Sequence, residues 1–356
     1  MADRKPSLNI LQVASSLHEW GGIERYVVYL QQGLESRGHR VEIACPPGSP
    51  ISERASHPTE PITVRGKFDL KGLAAYLRLF RSQQFDVVHA HFSPDFTLPA
   101  YAARMRRQGL TVMTRHVALQ WSSPKAKAYS RLWRHIIPVS HAVERRLLQS
   151  GIPASQMTVA KAGLPEPIPR RKRKDARAAL WLEPNEFVVG SFGRLVPDKG
   201  IDVLIEAMRQ VDGVKACIFG HGPYAEDLRT KAAGLKSVMF QGSVADVADA
   251  MAAMDVVVIP STWEEAFPYA ALEAMALSRP IVASNIGGLP EMVEDGVNGR
   301  LFPPGDASAL AAVLNEMKSA NREPMGAAGR ARYEQEFTIE KMAERIEAVF
   351  LAAIGK

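Results

Sequence analysis

The chain has 356 residues, of which 46% are hydrophobic and 23% are charged. This length accommodates two domains, and this composition is typical of a well-packed soluble protein rather than a disordered or fibrous one. The two cysteines, Cys45 and Cys217, stand within apolar runs, which indicates buried thiols in a reducing compartment rather than a disulfide or a metal site. No run approaches the roughly 20 apolar residues of a membrane span, and no signal-like apolar stretch precedes Leu8, so we expect a cytoplasmic protein.

The net charge of +6 conceals an asymmetry between the two halves. Residues 1–174 carry 27 Lys and Arg against 12 Asp and Glu, a net charge of +15, whereas residues 175–356 carry 17 against 26, a net charge of −9. The basic residues are densest at 104–107, 125–134 and 170–174. This asymmetry favours an anionic partner for the first half, either a membrane surface or a phosphorylated glycan. Nucleic acid is disfavoured because no zinc-finger spacing or RNA-binding aromatic signature is present.

Short apolar runs alternate with amphipathic segments through the first half of the chain. The pattern predicts strands at 8–14, 41–44, 85–92, 110–114 and 135–140, with helices from Gly21-Gly22 to about Arg37, at 70–81 and at 140–149. Strands that alternate with helices in this way favour a doubly wound parallel sheet.

The alternation restarts after a proline-rich basic stretch at 162–174, whose composition is typical of an exposed linker. Strands are predicted at 187–193, 214–220, 238–242, 255–260 and 280–284, with an amphipathic helix at 201–211 and a long helix at 339–353. The sequence therefore predicts an α/β protein with two Rossmann-like domains at 1–165 and 166–338. The terminal helix, within 339–356, is expected to cross back to the first domain.

Three polar or glycine-rich clusters follow predicted strands of the second half. They are Arg194 and Lys199 within RLVPDKG, Gly222 within GHGP, and the segment 260–276. Because parallel strands end at a common edge, and ligands of doubly wound sheets bind there, we expect the three clusters to converge.

The segment 260–276 carries the most chemical information. Pro268 suits the first turn of a helix, where the amides of Tyr269, Ala270 and Ala271 would be open to an anion. Glu265 precedes this helix start, and Glu273 lies about 7.5 Å along the helix from Pro268. Carboxylates on both sides of a phosphate-binding helix start fit the sugar, diphosphate and ribose of a sugar nucleotide. The alternative is that Glu265 only caps the helix and Glu273 is merely exposed.

These motifs resemble those of glycosyltransferase family 4, whose members have the GT-B fold of two Rossmann-like, doubly wound parallel-sheet domains facing across a cleft. The resemblance is carried by E-x7-E at 265–273, the segment 273–302, GRLVPDKGID at 193–202, GHGP at 220–223, GGIERYV at 21–27 and FDVVHAHF at 85–92. It covers nearly the whole chain in the family's order of elements. Two departures, Pro268 where many members have glycine and Ala162-Gly163 where Asn-Gly is common, do not touch a donor-binding position.

The resemblance implies a role for each matching residue. Arg194 and Lys199 would hold the donor diphosphate, and Glu273 would bind the ribose hydroxyls. Glu265 would contact the donor sugar, and His116, which follows the strand at 110–114, would face that sugar. The other donor-side residues that the resemblance implies are Gly21, Gly22, Gly222, Phe267, Ala270 and Ala271.

The implied reaction is transfer of a sugar, with retention of anomeric configuration, from a UDP- or GDP-sugar to a hydroxyl of a glycan or glycolipid. Lipopolysaccharide or exopolysaccharide synthesis in bacteria is the expected setting. No cofactor is expected beyond the sugar nucleotide, and no metal, because Arg194 and Lys199 would neutralise the leaving diphosphate. His89 and His91 share one face of a strand, as a ligand pair requires, but no third ligand is indicated.

Two other functions remain open at this point: a nucleotide-sugar epimerase on the same fold, and a non-catalytic nucleotide-sugar-binding protein. The Glu265 and Glu273 layout favours a transferase over the epimerase, and the intact basic and acidic positions argue against a decayed site. A lipid-linked acceptor would place the chain as a peripheral protein on the cytoplasmic face of the plasma membrane. The segments 104–107 and 125–134 would then meet anionic lipid, with Tyr129 and Trp133 as interfacial anchors. The alternative is a solvated basic surface that aids solubility.

Overall fold

The computed structural model describes residues 7–16, 20–66, 68–244 and 246–355. They form two compact units. The first contains the described residues up to Pro165 together with those from Phe337 onward, and the second is Glu166–Glu336. Each unit is built on a six-stranded parallel sheet flanked by helices, which confirms the predicted α/β class with two Rossmann-like sheets.

The first unit has its sheet in the order β3-β2-β1-β4-β5-β6, so the strand order reverses between β1 and β4. Its strands are β1 (Asn9–Val13), β2 (Arg40–Cys45), β3 (Glu60–Pro61), β4 (Val87–Ala90), β5 (Leu110–Arg115) and β6 (His135–Pro138). Its helices are α1 (Gly22–Ser36), α2 (Pro50–Arg54), α3 (Leu70–Ser82), α4 (Leu98–Met105), α5 (Ser123–Leu132) and α6 (His141–Gln149). All four residues of β4 are buried, as expected for a central strand covered on both faces.

The second unit repeats this plan with the order β12-β11-β10-β7-β8-β9. Its strands are β7 (Phe187–Phe192), β8 (Val214–Phe219), β9 (Val238–Gly242), β10 (Val256–Ile259), β11 (Ile281–Ser284) and β12 (Gly299–Phe302). Its helices are α7 (Arg173–Ala179), α8 (Ile201–Met208), α9 (Ala225–Lys231), α10 (Val247–Ala253), α11 (Tyr269–Ala276), α12 (Ala307–Ser319) and α13 (Glu323–Arg332). The predicted apolar stripe of α8 is buried, with Leu204 fully enclosed in the core.

The edge strands β3 and β12 have no counterpart among the sequence-predicted strands. β3 has two residues, one of them a proline, and β12 has four. Runs this short carry too little periodicity to be separated from loops, and they become strands only because a neighbouring strand offers its free edge.

The terminal helix, Ile339–Ile354, packs against α1 within the first unit. The contact is close because Gly33 has no side chain: a Cβ there would lie 2.9 Å from the Cβ of Ala343. The buried carboxylate of Glu347 accepts a hydrogen bond from the Arg37 Nε at 3.0 Å and lies 3.2 Å from the His39 Nε2. The terminal helix is therefore part of the first unit's core.

The basic stretch at 162–174, which the sequence predicts to be an exposed linker, is partly buried and hydrogen-bonded. Ala162 and Leu164 are buried in the first unit. Farther along, the amides of Arg170 and Arg171 donate to one oxygen of Asp249, at 2.7 and 2.8 Å. The backbone is pinned by a carboxylate at the start of α10, a contact that composition alone does not reveal.

The two aromatic residues expected to act as membrane anchors do not occupy exposed positions. Trp133 is fully buried, and its indole Nε1 donates to the carbonyl of Phe96 at 3.0 Å. The ring of Tyr129 packs edge-on against Trp121, with 5.0 Å between the ring centroids. Trp133 belongs to the core beneath α5, and Tyr129 is half-buried beside it. Among the described residues, no helix is long and apolar enough to cross a bilayer.

Candidate functional site

The loops after four strands of the second unit meet at the carboxyl edge of its sheet. The loop after β7 contacts the loop after β10, where the amide of Thr262 donates to the carbonyl of Asp198 at 3.0 Å. It also contacts the loop after β8, where the amide of Leu195 donates to the carbonyl of His221 at 2.8 Å. The loop after β11 joins through the amide of Gly288, which donates to the carbonyl of Glu265 at 2.7 Å.

Glycines make these loop contacts sterically accessible. Gly200 adopts a left-handed backbone at φ +63°, and a Cβ there would lie 1.9 Å from the carbonyl oxygen of Pro260. A Cβ on Gly222 would lie 2.2 Å from the carbonyl oxygen of Leu195. A side chain at either position would force these loops apart, so the glycines allow the clusters to approach this closely.

Lys199 and Glu265, 66 positions apart in the chain, form an ion pair at this edge. The Lys199 Nζ lies 2.5 Å from the Glu265 Oε1, which also accepts a hydrogen bond from the Ser261 hydroxyl at 2.7 Å. The Glu265 side chain is only 13% exposed, and that of Lys199 is 34% exposed. Arg194 lies on the same loop as Lys199, two residues after β7, and is exposed. The site therefore holds a half-buried cation fixed in place by an acid, with a second cation nearby in sequence.

The helix α11 begins beside this ion pair, one residue later than the sequence suggests. Pro268 occupies the N-cap position, with φ −73° and ψ 129°, and no side chain caps the helix. The amide of Ala271 already donates to the carbonyl of Pro268 at 3.1 Å, contrary to the expectation that it is open. The amide of Ala270 has no hydrogen-bond partner within the described parts of the chain. The anion-binding capacity of this helix start therefore rests on the first turn's outermost amides.

Phe267 lies just before the helix start and Glu273 lies in the middle of α11, and both are buried, with 8% and 7% of their surface exposed. The alternative in which Glu273 is merely an exposed helical residue is therefore wrong. Burying a carboxylate is costly unless it binds a partner, so its retention on α11 indicates a specific polar contact.

The glycine loop of the first unit leads directly into α1. Gly21 is the N-cap, with Gly22 as the first helical residue. The amide of Gly21 donates to the Glu24 Oε2 at 3.0 Å, and the Ser16 hydroxyl donates to the other oxygen of Glu24. A carboxylate three residues after the cap is the arrangement of a capping box.

A second buried acid holds the chain just after β1. The amide of Ser15 donates to the Asp95 Oδ2 at 2.9 Å, and the Ser15 hydroxyl donates to the other oxygen. Asp95 is fully enclosed, and burial raises its pKa to about 6 despite these hydrogen bonds. Asp95 and Glu24 thus fix the chain on either side of residues 17–19, which lie outside the described residues. The sequence reasoning assigned no role to either acid, although the spacing of Gly21 and Glu24 is a readable capping signal.

His116 follows β5 and lies in a buried group of aromatic side chains. Its Nε2 is 3.4 Å from the Nδ1 of His91, and its ring meets the edge of Tyr26 with 4.6 Å between centroids. Burial lowers the pKa of His116 to about 3, so its imidazole is neutral near pH 7. His89 is separately engaged through its Nε2, 2.6 Å from the Thr114 hydroxyl. Among the described residues, no set of three or more His, Cys, Asp or Glu side chains is arranged to hold a metal ion.

The two halves of the chain match two sequence families. Residues 20–165 match the family described as Glycosyltransferase Family 4, and residues 186–319 match Glycosyl transferases group 1. Together the two matches span most of the chain and follow its two units. The chain therefore belongs to glycosyltransferase family 4 and has the GT-B architecture.

Similar curated proteins come from bacteria. The chain is 30% identical over 249 residues to the amylovoran biosynthesis glycosyltransferase AmsK of Erwinia amylovora, a match covering 64% of this chain and 58% of that protein. It is 33% identical over 198 residues to the D-inositol 3-phosphate glycosyltransferase of Mycobacterium marinum, covering 51% of this chain and 42% of that protein. These matches span about half the length of the relatives. The phosphatidyl-myo-inositol mannosyltransferase of Mycobacterium leprae is 27% identical over 83% of both chains.

Similar solved structures extend over the whole fold. The Anabaena protein HepE in complex with UDP matches with a TM-score of 0.87 and 25% identity, covering 97% of this chain and all of that one. The complex of HepE with UDP-glucose matches with a TM-score of 0.85 at the same identity and coverage. WaaG, a glycosyltransferase involved in lipopolysaccharide biosynthesis, matches at 15% identity with a TM-score of 0.72, which shows a shared fold.

Proposed function

We propose that this protein is a retaining glycosyltransferase that moves a sugar from a UDP- or GDP-sugar to a hydroxyl of a glycan or glycolipid acceptor. The observation that carries the proposal is the ion pair of Lys199 and Glu265 beside the start of α11, with Glu273 buried in that helix. A cation, an open helix start and two carboxylates within one loop cluster match the groups of a sugar nucleotide.

The charge of the leaving diphosphate is the main obstacle that the site must overcome. Lys199 and Arg194 supply positive charge next to the outer amides of α11, which also favour anions. The Lys199 ammonium is held by Glu265, whose carboxylate is itself fixed by the Ser261 hydroxyl, so little reorganisation is needed when the diphosphate arrives. This arrangement stabilises a nucleoside diphosphate as leaving group without requiring a metal ion.

The two carboxylates have separate tasks in this proposal. Glu273 accepts hydrogen bonds from the ribose hydroxyls, with Phe267 forming apolar contacts to the donor. Glu265 orients the donor sugar while it holds Lys199. Gly222, packed against the loop after β7, allows close backbone approach to the nucleotide.

The first unit contributes to the reacting sugar and the acceptor. Gly21 and Gly22 present backbone without side chains to the donor phosphates. His116 is neutral, so it acts as a hydrogen-bond partner of the sugar rather than as a cation. The glycine loop is braced by Glu24, which limits its motion during the reaction.

The relatives support a particular order of substrates to test. HepE has been crystallised with UDP and with UDP-glucose, so UDP-hexoses are the first donors to examine, followed by GDP-mannose. AmsK acts in amylovoran biosynthesis by its name, and WaaG in lipopolysaccharide biosynthesis, which supports a bacterial surface glycan as acceptor.

The test is release of free nucleoside diphosphate from a panel of UDP- and GDP-sugars, with and without glycan acceptors. We expect one donor to release its nucleotide and each of Lys199→Ala and Arg194→Ala to reduce that rate about 100-fold or more. Lys172→Ala removes an exposed lysine of the same unit and serves as the matched control. Conversion of the donor sugar without nucleotide release would identify an epimerase, and binding without either reaction would identify a non-catalytic binding protein. Near-normal rates in both site variants would refute the assignment of the diphosphate site.

A further inference from the structure

His91 lies directly after the central strand β4, in the same buried group as His116. It is 1% exposed, and its backbone amide donates to the carbonyl of Val13 at 3.2 Å, which ties it to the end of β1. Its ring centroid lies 4.1 Å from that of His89 and 5.6 Å from that of Tyr26. His91 is therefore held in a fixed position, yet the proposed reaction assigns it no task.

The two ring nitrogens of His91 have different surroundings. The Nδ1 lies 3.4 Å from the Nε2 of His116, within hydrogen-bond distance. The Nε2 is buried and has no hydrogen-bond partner in the described parts of the chain. The hydrogen bond of this ring within the protein is therefore made through Nδ1.

The imidazoles of His91 and His116 are both neutral near pH 7. Burial lowers the pKa of His91 well below its ordinary value, and the neighbouring His89 and His116 lower it further. Burial lowers the pKa of His116 to about 3. A neutral imidazole carries one N–H and one lone pair, so only one of the two facing nitrogens carries the proton of their hydrogen bond.

The unpaired Nε2 of His91 decides which of the two nitrogens carries that proton. If His91 were protonated at Nε2, a buried N–H would have no acceptor, an arrangement that is rarer in folded proteins than an unused lone pair. With its proton on Nδ1, His91 donates to the His116 Nε2 and leaves only a lone pair unpaired. His116 then carries its own proton on Nδ1.

The Nδ1 of His116 is the ring nitrogen that remains for a substrate. His116 is partly exposed, and its Nδ1 has no hydrogen-bond partner among the residues that the structure describes. An N–H at this nitrogen donates to an oxygen, whereas the lone pair on Nε2 is occupied by His91. The contact with His91 therefore leaves His116 with a free donor and without a free base.

We propose that His91 is a positioning residue that fixes the tautomer of His116, so that His116 presents its Nδ1–H to an oxygen of the donor sugar. The hydrogen bond that one ring nitrogen makes determines where the other carries its proton, and it also restrains the orientation of the ring. The inference rests on the proposed function where it names the donor sugar. The tautomer itself is a property of the protein without substrate.

The test is a long-range proton–nitrogen correlation spectrum of the full chain with isotope-labelled histidine, recorded without donor or acceptor. Such a spectrum separates protonated from unprotonated ring nitrogens, and its coupling pattern distinguishes Nδ1 from Nε2. The signals of His116 are identified by their loss in His116→Gln. We expect the wild-type chain to have His116 protonated at Nδ1 and unprotonated at Nε2, and the reverse would overturn the proposal.

Two substitutions of His91 separate positioning from packing. His91→Phe keeps an aromatic ring but removes the donor, so we expect the His116 proton to redistribute toward Nε2 and kcat to fall about tenfold, with the KM for the donor unchanged. His91→Asn places an amide N–H near the position of Nδ1, and we expect it to restore the tautomer and most of kcat. His135→Phe, which changes another buried histidine at the start of β6 and the opposite edge of the sheet, is the matched control and alters neither.

The outcomes distinguish this inference from the proposed reaction. An unchanged His116 tautomer in His91→Phe would overturn it, whether or not kcat falls, because His91 would then act only through packing. The same conclusion follows if His91→Asn behaves like His91→Phe. Absence of nucleotide release from every donor would refute the proposed reaction, whereas the spectra would still decide the tautomer.

Discussion

At the scale of single residues, Glu265 and Glu273 are set apart by what surrounds them. Glu265 holds the Lys199 ammonium at 2.5 Å, whereas Glu273 is buried in the helix α11. Glu273→Ala is expected to weaken binding of the nucleoside diphosphate by about 1.5–3 kcal/mol, because charge-assisted hydrogen bonds to the ribose are lost. Glu265→Ala is expected to spare that binding, since Lys199 stays available to the phosphates, and to impair sugar transfer.

Calorimetry with UDP and GDP, together with transfer rates, decides between these two roles. Glu294→Ala, which removes an exposed carboxylate of the same unit, is the control. If Glu265→Ala lost nucleotide binding and Glu273→Ala kept it, the ribose and sugar ends of the donor would be interchanged.

His116 is the residue whose ionisation is most constrained by its surroundings. Because burial lowers the pKa of His116 to about 3, its imidazole stays neutral from pH 5 to 9. We therefore expect the pH–rate profile to keep its shape over this range when His116 is replaced. His116→Ala is expected to cut turnover with little change in nucleotide affinity, because it removes a hydrogen bond at the sugar. A chelator is not expected to reproduce the effect. Chelator-sensitive activity that zinc restores would show instead that His116 is a metal ligand.

Asp95 couples the stability of the first unit to pH. Its pKa rises from 3.8 to about 6 on folding, so between these pH values the folded chain keeps a proton that the unfolded chain releases. This group therefore makes the free energy of unfolding fall as pH rises through that window, and its effect is constant above it. Asp95→Asn is expected to remove that contribution, as measured by urea unfolding at intervals from pH 4 to 7. An unchanged slope in the variant would show that Asp95 ionises normally.

At the scale of elements, the long strands and helices were accessible from the sequence, and the loop contacts were not. The helix at 70–81 and the α8 stripe were predictable because apolar residues recur with the helical period. The approach of Gly200 to Pro260 has no such signal, because it depends on how two strands are placed in the finished sheet. For the same reason the sequence suggested that polar clusters converge, but not that Lys199 and Glu265 touch.

A substitution in the loop after β11 tests whether these loop contacts affect the reaction. Gly287 has φ +62°, and a Cβ there would lie 2.4 Å from the carbonyl oxygen of Glu265. Gly287→Ala is therefore expected to displace Glu265 and to reduce the rate of sugar transfer about tenfold or more, while the unit stays folded. Gly305→Ala, also at a positive φ but with open space around it, carries a similar backbone cost without the clash. Equal losses of transfer in the two variants would show that backbone strain, and not Glu265 displacement, is responsible.

At the scale of the whole molecule, each unit's stability depends on segments far apart in the chain. The first unit draws its last helix from the end of the chain, and the second unit pins its first basic residues with Asp249. The charge asymmetry read from the sequence is also resolved at this scale. Carboxylates of the second unit pair with Arg170, Arg171, Arg173 and Arg177, whereas Arg104, Arg107, Arg131 and Arg134 have no carboxylate within 4.0 Å among the described residues. The amino-acid composition does not distinguish these two groups of basic residues, because the positions of their partner carboxylates depend on the tertiary structure.

The terminal helix gives this long-range organisation a measurable consequence. Glu347 is 2% exposed and serves both Arg37 and His39, which lie more than 300 positions earlier. Glu347→Ala leaves the Arg37 guanidinium, whose side chain is 25% exposed, without its acid, and losing a charge-assisted hydrogen bond costs about 1.5–3 kcal/mol. We therefore expect the first unit to unfold at lower urea in this variant, while the second unit's transition is unchanged. Glu340→Ala, near the start of the same helix and exposed, is the control and shifts neither transition. A shared loss of stability in both units would mean that the chain unfolds as one cooperative body, and no loss in either would mean that Glu347 does not anchor the helix.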